Sequence, residues 1–285
     1  LRTPTPGTPP SQDTHLGDAL RVPSGLTIRE IADFLRHGDP DEAWLAALAA
    51  DGRAGVRRLG ERAQRARERM QRQRRRLEGL LALERARRAE GYVHIAGVDE
   101  AGVGPLAGPV VAAAVILPDE VPLPGLDDSK ALSPLERVRL YDAILASGAR
   151  VGIGLADPAE IDRLNVLQAT RLAWRRAVGQ LDPRPDLLLV DGRHRVDLDI
   201  PQVAIVDGDA RCAAIAAASI VAKVTRDRVM CDLDARYPQF GFARHKGYAT
   251  AAHLAAIRHY GCSPAHRRTF LPLRLFQHSL FETPA

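Results

Sequence analysis

The chain has 285 residues, 46% hydrophobic and 26% charged, a composition that excludes a wholly disordered protein and allows one sizeable core with an appendage. Its formal charge of +5 is unevenly spread: residues 53–90 hold fourteen Arg, no Lys and five Glu, so this segment carries +9 and the remainder −4, a local footprint for a polyanion. Cys212, Cys231 and Cys262 are odd in number, widely spaced and form no Cys-x-x-Cys pair, which argues against a disulfide framework or zinc site and for a reducing cytosol.

Residues 1–25, rich in Pro, Thr and Gly, read as a flexible tail. "LTIREIADFLRHG" then sets Leu26, Ile28, Ile31 and Leu35 at helical spacing, and "DEAWLAALAADG" repeats the pattern with Trp44, Leu45 and Leu48. The proline-free "ERAQRARERMQRQRRRLEGLLALERARRAE" reads as one long helix, completing an Arg-rich helical module over 26–90. Such a block of arginine serves equally as a solvated face or as a contact for nucleic-acid phosphates.

From Tyr92 onward the pattern changes to strands mixed with helices. "YVHIAGVDE" and "GPVVAAAVILP", joined by the glycine-rich "AGVGPLA", predict a β-hairpin, and "ARVGIGLAD" a third strand. "PAEIDRLNVLQATRLAWRRAVGQL" reads as one helix with Ile161, Leu164, Leu167, Leu172 and Val178 on its apolar stripe. "PDLLLVDG" and "PQVAIVDGD" are two more strands, and "ARCAAIAAASIVAKVTRDRVMCDLDARY" a long alanine-rich helix. Their order implies an α/β domain with a mixed sheet over 91–285, ending in a C-terminal tail. The longest apolar run, "VVAAAVIL", is fenced by Pro109 and Pro118 and is too short to span a bilayer; no signal peptide is visible, so a soluble cytoplasmic protein is expected.

Asp99, Glu100, Asp191 and Asp209 all fall at predicted strand ends, where parallel sheets carry functional groups. A single such Asp is ordinarily a cap or turn residue. If the first and fourth strands are parallel neighbours, however, the four carboxylates converge, and carboxylates sharing a site raise one another's pKa unless cations neutralise them. Hard oxygen ligands select Mg²⁺ or Mn²⁺, and two such ions can activate water against a phosphodiester. Gly102, Gly104 and Gly108 allow a close backbone approach to substrate, or simply a tight turn.

The blocks "GVDEAGVGPLAGPVVAAAVIL", "LDDSKALS", "EIDRLNVLQAT", "GDARCAAIAAASIVAKVTRDR", "YPQFGFARHKGYAT" and "HRRTF" resemble, in order over residues 92–274, those of the bacterial type 2 ribonucleases H. The helical module before them is similar to one carried by a subset of that family. The resemblance implies a ribonuclease H-like mixed sheet flanked by helices. It also implies Mn²⁺- or Mg²⁺-dependent endonucleolytic cleavage of RNA hybridised to or embedded in DNA, on the 5′ side of a ribonucleotide, as in repair of ribonucleotide-containing DNA. It assigns Asp99, Glu100, Asp191 and Asp209 as metal ligands. It makes Gly102, residue 103 and Gly104 readers of the 2′-hydroxyl and phosphate, Ser129 and Lys130 phosphate contacts, and Tyr248 a stacking partner for a sugar. Asp227 reads as helix surface.

Two positions depart from the family's pattern: Val103 stands where Arg is usual, and Asp207 where Lys is usual. They motivate two alternatives, a hybrid-binding protein with impaired turnover and a related ribonuclease H that prefers longer RNA tracts. Near the terminus, Gln277, Ser279, Leu280 and Phe281 resemble the short peptide by which bacterial replication and repair proteins hold the sliding clamp; the alternative is a final turn packed on the enzyme's own core. A monomer is expected.

Overall fold

The apolar runs on either side of Asp99 form the centre of one five-stranded sheet in a computed structural model of the chain, which describes residues 23–121 and 123–270. The strands β1 (Ile95–Ala101), β2 (Val110–Ile116), β3 (Arg150–Ala156), β4 (Leu187–Asp191) and β5 (Gln202–Ile205) lie in the order β3-β2-β1-β4-β5. β2 is antiparallel to β1 and β3, whereas β4 is parallel to β1 and β5, so the sheet is mixed as expected. Val98 pairs with Val190, so Asp99 and Asp191 each follow the same paired position at the carboxyl ends of adjacent parallel strands.

Both faces of the central strands are buried, which explains their continuous apolar character. Alternate residues separate the faces: Leu187 and Leu189 enter one core, Leu188 and Val190 the other. On the first face lies the helix Ala213–Arg236, whose opening residues Ala213 to Ala218 are all buried. Its approach is so close that a Cβ on Gly97 would overlap the carbonyl carbon of Ala214, so β1 needs glycine there.

Numbered along the chain, the helices are α1 (Ile28–His37), α2 (Glu42–Ala49), α3 (Ala54–Leu80), α4 (Ala82–Ala89), α5 (Pro134–Ala146), α6 (Pro158–Leu164), α7 (Val166–Val178), α8 (Ala213–Arg236), α9 (Phe242–His245) and α10 (Ala251–Tyr260). The chain divides into two compact units, at Arg72 and Gln73 within α3. In the first unit, Ile31, Leu45, Leu48 and Val56 form a small core, and Thr27 with Glu30 makes a capping box before α1. Ile28, expected on the same stripe, is instead exposed.

Two predicted continuous helices are interrupted. The Arg-rich helix divides at Leu81, which keeps right-handed helical dihedrals and donates to the Leu77 carbonyl at 3.0 Å, and both Leu80 and Leu81 enter the core of the second unit. The helix after Pro158 breaks at Asn165, which adopts φ 69° and whose side chain caps α7 by accepting the Gln168 N–H. The break shifts the buried face, so Leu167 is exposed while Ala169, Ala173, Trp174 and Ala177 are buried.

Among the described residues no helix is long and apolar enough to cross a membrane. Of the tail expected over 1–25, residues Pro23–Gly25 form a short 3-10 turn with Pro23 buried; residues 1–22 and the peptide containing Gln277, Ser279, Leu280 and Phe281 lie outside the described residues.

Candidate active site

Near its carboxyl end β1 carries two consecutive carboxylates, and the strand's period of two sends them to opposite sides of the sheet. Asp99 is buried on the α8 side, where Ser219 hydrogen-bonds to it. Glu100 faces α7, and its Oε2 accepts the indole N–H of Trp174 at 3.0 Å. Asp191, ending β4, accepts the Gly208 N–H on Oδ1 at 2.7 Å. Asp209 sits in the short 3-10 turn Gly208–Ala210, entered through Asp207 at φ 54°; it is buried, and its Oδ2 accepts from Lys130 Nζ at 2.6 Å. Ser129, beside Lys130, shares a 2.8 Å hydrogen bond with Ser219.

Asp99, Glu100, Gly102, Val103, Gly104, Ser129, Lys130, Asp191 and Tyr248 line one cavity of about 340 Å³. Asp209 does not line it and reaches it through Lys130. Asp207 is exposed and outside the lining, and Asp227 on α8 is half-buried in a 2.7 Å ion pair with Lys223.

The electrostatics of the cluster are those of charges in need of a cation. Burial, and then the charges of Glu100 and Asp191, raise the Asp99 carboxyl well above its usual range. Burial and the Asp191 charge push Glu100 up to about 7, against the opposing hydrogen bond from Trp174. Asp191 is raised by burial and by Asp209. Burial alone would lower Lys130, but its contact with Asp209 carries the ammonium above its ordinary value. Lys130 is the cation paired directly with one of these carboxylates, while Arg137, Lys223 and Arg226 also line the cavity.

Among the described residues no group of three or more His, Cys, Asp or Glu side chains is arranged to hold a metal ion as the side chains stand. The Lys130 ammonium takes Asp209 Oδ2, and backbone N–H groups take one oxygen each of Asp99 and Asp191. The donor set itself fits a hard divalent cation: every donor is a carboxylate oxygen, and three of the four carboxyls are raised by burial and mutual repulsion that such an ion would relieve.

The glycine-rich loop between β1 and β2 is held by two buried arginines that sequence reasoning missed. Arg267 donates to the carbonyls of Gly102 (2.5 Å), Val103 (2.8 Å) and Gly108 (2.9 Å). Arg226 donates to those of Pro109 (3.1 Å), Ala107 (3.2 Å) and Lys246 (3.0 Å). Burial lowers the pKa of both, that of Arg267 to about 9. Gly102 adopts φ +92°, and a Cβ there would overlap Arg226 Nε, so only glycine fits. A trans peptide points its C=O and N–H in opposite directions, so the N–H groups of Val103 and Gly104 face away from Arg267. Nothing in "KVTRDR" or "HRRTF" distinguishes a buried arginine from surface charge. Trp174 was legible as apolar but not as a donor to Glu100.

A mixed sheet in this order places the chain with the ribonucleases H among solved structures. The crystal structure of ribonuclease H2 from Pyrococcus horikoshii is 28% identical, covers 67% of this chain and all of that one, and superposes with a TM-score of 0.57. Ribonuclease HII of Archaeoglobus fulgidus, solved in a complex with PCNA, is 26% identical over 63% of this chain and 96% of its own, with a TM-score of 0.55. The family model for Ribonuclease HII matches residues 96–272, and that for the Ribonuclease HII N-terminal domain matches 27–88. Ribonuclease HII of Desulfitobacterium hafniense is 49% identical over 251 residues, 88% of this chain and 96% of its own. That of Geobacillus thermodenitrificans is 50% identical over 250 residues, 87% and 96% respectively. The chain belongs to the ribonuclease HII family, and its enzyme class is ribonuclease H.

Proposed function

We propose that the protein is a divalent-metal-dependent endonuclease that cleaves RNA in RNA–DNA hybrids and at ribonucleotides embedded in duplex DNA, leaving 3′-hydroxyl and 5′-phosphate ends. The observation that carries this reading is the convergence of Asp99, Glu100 and Asp191 on one cavity with the Gly102–Gly104 backbone, Lys130 and Tyr248. Asp99, Glu100, Asp191 and Asp209 would hold Mg²⁺ or Mn²⁺, as two ions. When bound, the ions supply activation of the attacking water and stabilisation of the leaving oxygen.

The chain's own groups do the rest. The N–H groups of Val103 and Gly104, turned away from Arg267, are free to read a 2′-hydroxyl, the group that distinguishes RNA from DNA. Tyr248, half-exposed at the cavity edge, offers a face for a sugar, and Ser129 and Lys130 hold phosphate. The Val103 side chain adds no charge, so phosphate neutralisation falls to the other basic groups lining the cavity, Lys130, Arg137 and Lys223. Residues 26–90 are the Arg-rich module preceding region 91–285, and their stretch 73–90 packs within the compact unit that carries the site. The protein works in the cytoplasm as a monomer. The terminal Gln277, Leu280 and Phe281 bind the sliding clamp, a reading supported by the relative solved with PCNA. Calorimetric titration of the intact chain with the clamp of its own organism should show binding that Leu280→Ala with Phe281→Ala removes; equal binding by both would reject that role.

The function is tested by incubating duplexes carrying one ribonucleotide, or a full RNA strand, with each metal and with chelator. Cleavage of both in metal, none in chelator, and none by Asp99→Asn despite retained hybrid binding is the expected result. Turnover by Asp99→Asn near that of the unaltered chain would remove Asp99 from the site.

A further inference from the structure

One circuit of hydrogen bonds runs from the Lys130–Asp209 pair out to the surface and ends on a residue, Arg76, that has no role in the chemistry proposed above. Arg76, near the end of α3, donates Nε and Nη2 to Asp127 Oδ1 at 3.1 and 2.6 Å, and the same Nη2 to the carbonyl of Ala210 at 2.9 Å. Asp127 lies between β2 and α5; Ala210 follows Asp209 in the turn after β5. These segments are the two that meet in the site. Asp127 Oδ1 also accepts the Asp128 N–H at 3.0 Å, Asp128 Oδ1 accepts the Lys130 N–H at 2.8 Å, and Lys130 Nζ closes on Asp209 Oδ2 at 2.6 Å. One guanidinium therefore joins, from outside, the two loops whose side chains pair inside.

We infer that Arg76 is a positioning residue for the reaction, fixing the Lys130–Asp209 pair by tying the Asp127–Lys130 loop to the Gly208–Ala210 turn. The inference rests on Asp209 being one of the reacting carboxylates. Arg76 and Asp127 are partly exposed, at 41% and 37%, and an isolated surface pair of that kind would contribute little. Here the planar fork serves a carboxylate and a carbonyl from different segments at once, which the single ammonium of a lysine does not reproduce. An alternative role, direct contact of Arg76 with substrate phosphate, makes different predictions.

The test uses the full chain and the variants Arg76→Ala, Arg76→Lys, Lys130→Ala and the double alanine variant. Arg76→Ala should lower kcat at saturating hybrid by about tenfold, the scale set by partners that orient metal ligands. Hybrid affinity in chelator and the melting temperature should stay unchanged, and Arg76→Lys should recover only part of the rate. In the Lys130→Ala background the same change should cost under about twofold, because residues in one network are not additive. Without metal, hydrogen exchange at the amides of residues 210–212 should quicken in Arg76→Ala. Unchanged exchange, unchanged kcat, or equal losses in both backgrounds would overturn the inference. So would a fall of about 0.9 in the log–log salt slope of binding, the mark of a lost phosphate contact. If Asp209→Asn retains full turnover, the assignment of the site fails first, and Arg76 has nothing to position.

Discussion

Two histidines outside the catalytic cavity show how a single proton arrangement can fix a loop. His253 Nδ1 faces the carbonyl of Tyr248 at 2.8 Å, which can only accept, so that nitrogen carries the proton. His266 Nδ1 accepts the Ser263 N–H at 3.0 Å, so its proton lies on Nε2, directed at His253 Nε2 3.1 Å away. The relay is satisfied with both rings neutral and leaves no acceptor for a further proton. Burial and His245, whose ring stacks on His253 at 4.3 Å, lower both to about 4 from the ordinary 6.5, His253 adding to the effect on His266. The unfolded chain binds these protons first as pH falls. The relay's stabilisation is therefore complete above about 6.5 and is lost progressively towards 4. Every tenfold loss of proton affinity on folding corresponds to about 1.4 kcal/mol, so the pair contributes a few kcal/mol. The raised Glu100 titrates in the opposite sense over part of this range, so the comparison must be with a variant lacking both rings. Urea unfolding at pH 7 and 5 should show the unaltered chain losing more stability than His253→Gln with His266→Gln. Equal losses would mean the rings are protonated in the folded protein.

At the scale of elements, what the sequence disclosed follows from local periodicity. The strands carrying Asp99 and Asp191 were legible because each is a short apolar run closed by carboxylate and glycine; the parallel pairing of β1 with β4 was only the condition for convergence, since two strands and three helices intervene. The length of α8 was legible from its proline-free run; why its first turns are alanine was not, since that depends on the closeness of β1 at Gly97. The interruptions at Leu81 and Asn165 escaped because helical spacing continues across both; Leu81 keeps helical dihedrals, and at Asn165 the decision is made by a side-chain cap. α5 was also missed, although Ser133, Pro134 and Glu136 form a capping box that marks its start. Within the site, residue types at strand ends pointed to Asp99, Glu100 and Asp191, which line one cavity, whereas Asp209, expected at the end of β5, lies in the 3-10 turn beyond it. The supports Trp174, Arg226 and Arg267 reach the site from 74 or more residues away and carry no local signal.

The whole molecule bears on how the Arg-rich helix should be cut. Composition changes at Tyr92, yet the second compact unit begins at Gln73, and its core includes Leu80 and Leu81 with Leu77 and Leu83 packed against it. Glu84 in α4 is buried, and its Oε1 accepts the Ala214 N–H at 2.7 Å and faces the Cys212 thiol at 3.4 Å, so it caps α8 where Cys212 offers no side-chain cap of its own. Removing residues 1–90 therefore strips the catalytic unit of buried leucines worth about 1.5–3 kcal/mol each and leaves an unpaired N–H at the start of its central helix. Removing residues 1–72 leaves these contacts intact and deletes, from 53 to 72, eight Arg and two Glu. The chain beginning at Gln73 should fold with a cooperative thermal transition and cleave bound hybrid in single turnover near the rate of the full chain. Its hybrid affinity should be weaker at low salt, with a shallower salt dependence, if the deleted arginines neutralise phosphates. The chain beginning at Gly91 should be unfolded or melt well below the other. An unchanged salt slope for the Gln73 chain would assign the deleted arginines to a solvated face, and a fully stable Gly91 chain would show that Leu80, Leu81 and Glu84 contribute nothing to the catalytic unit.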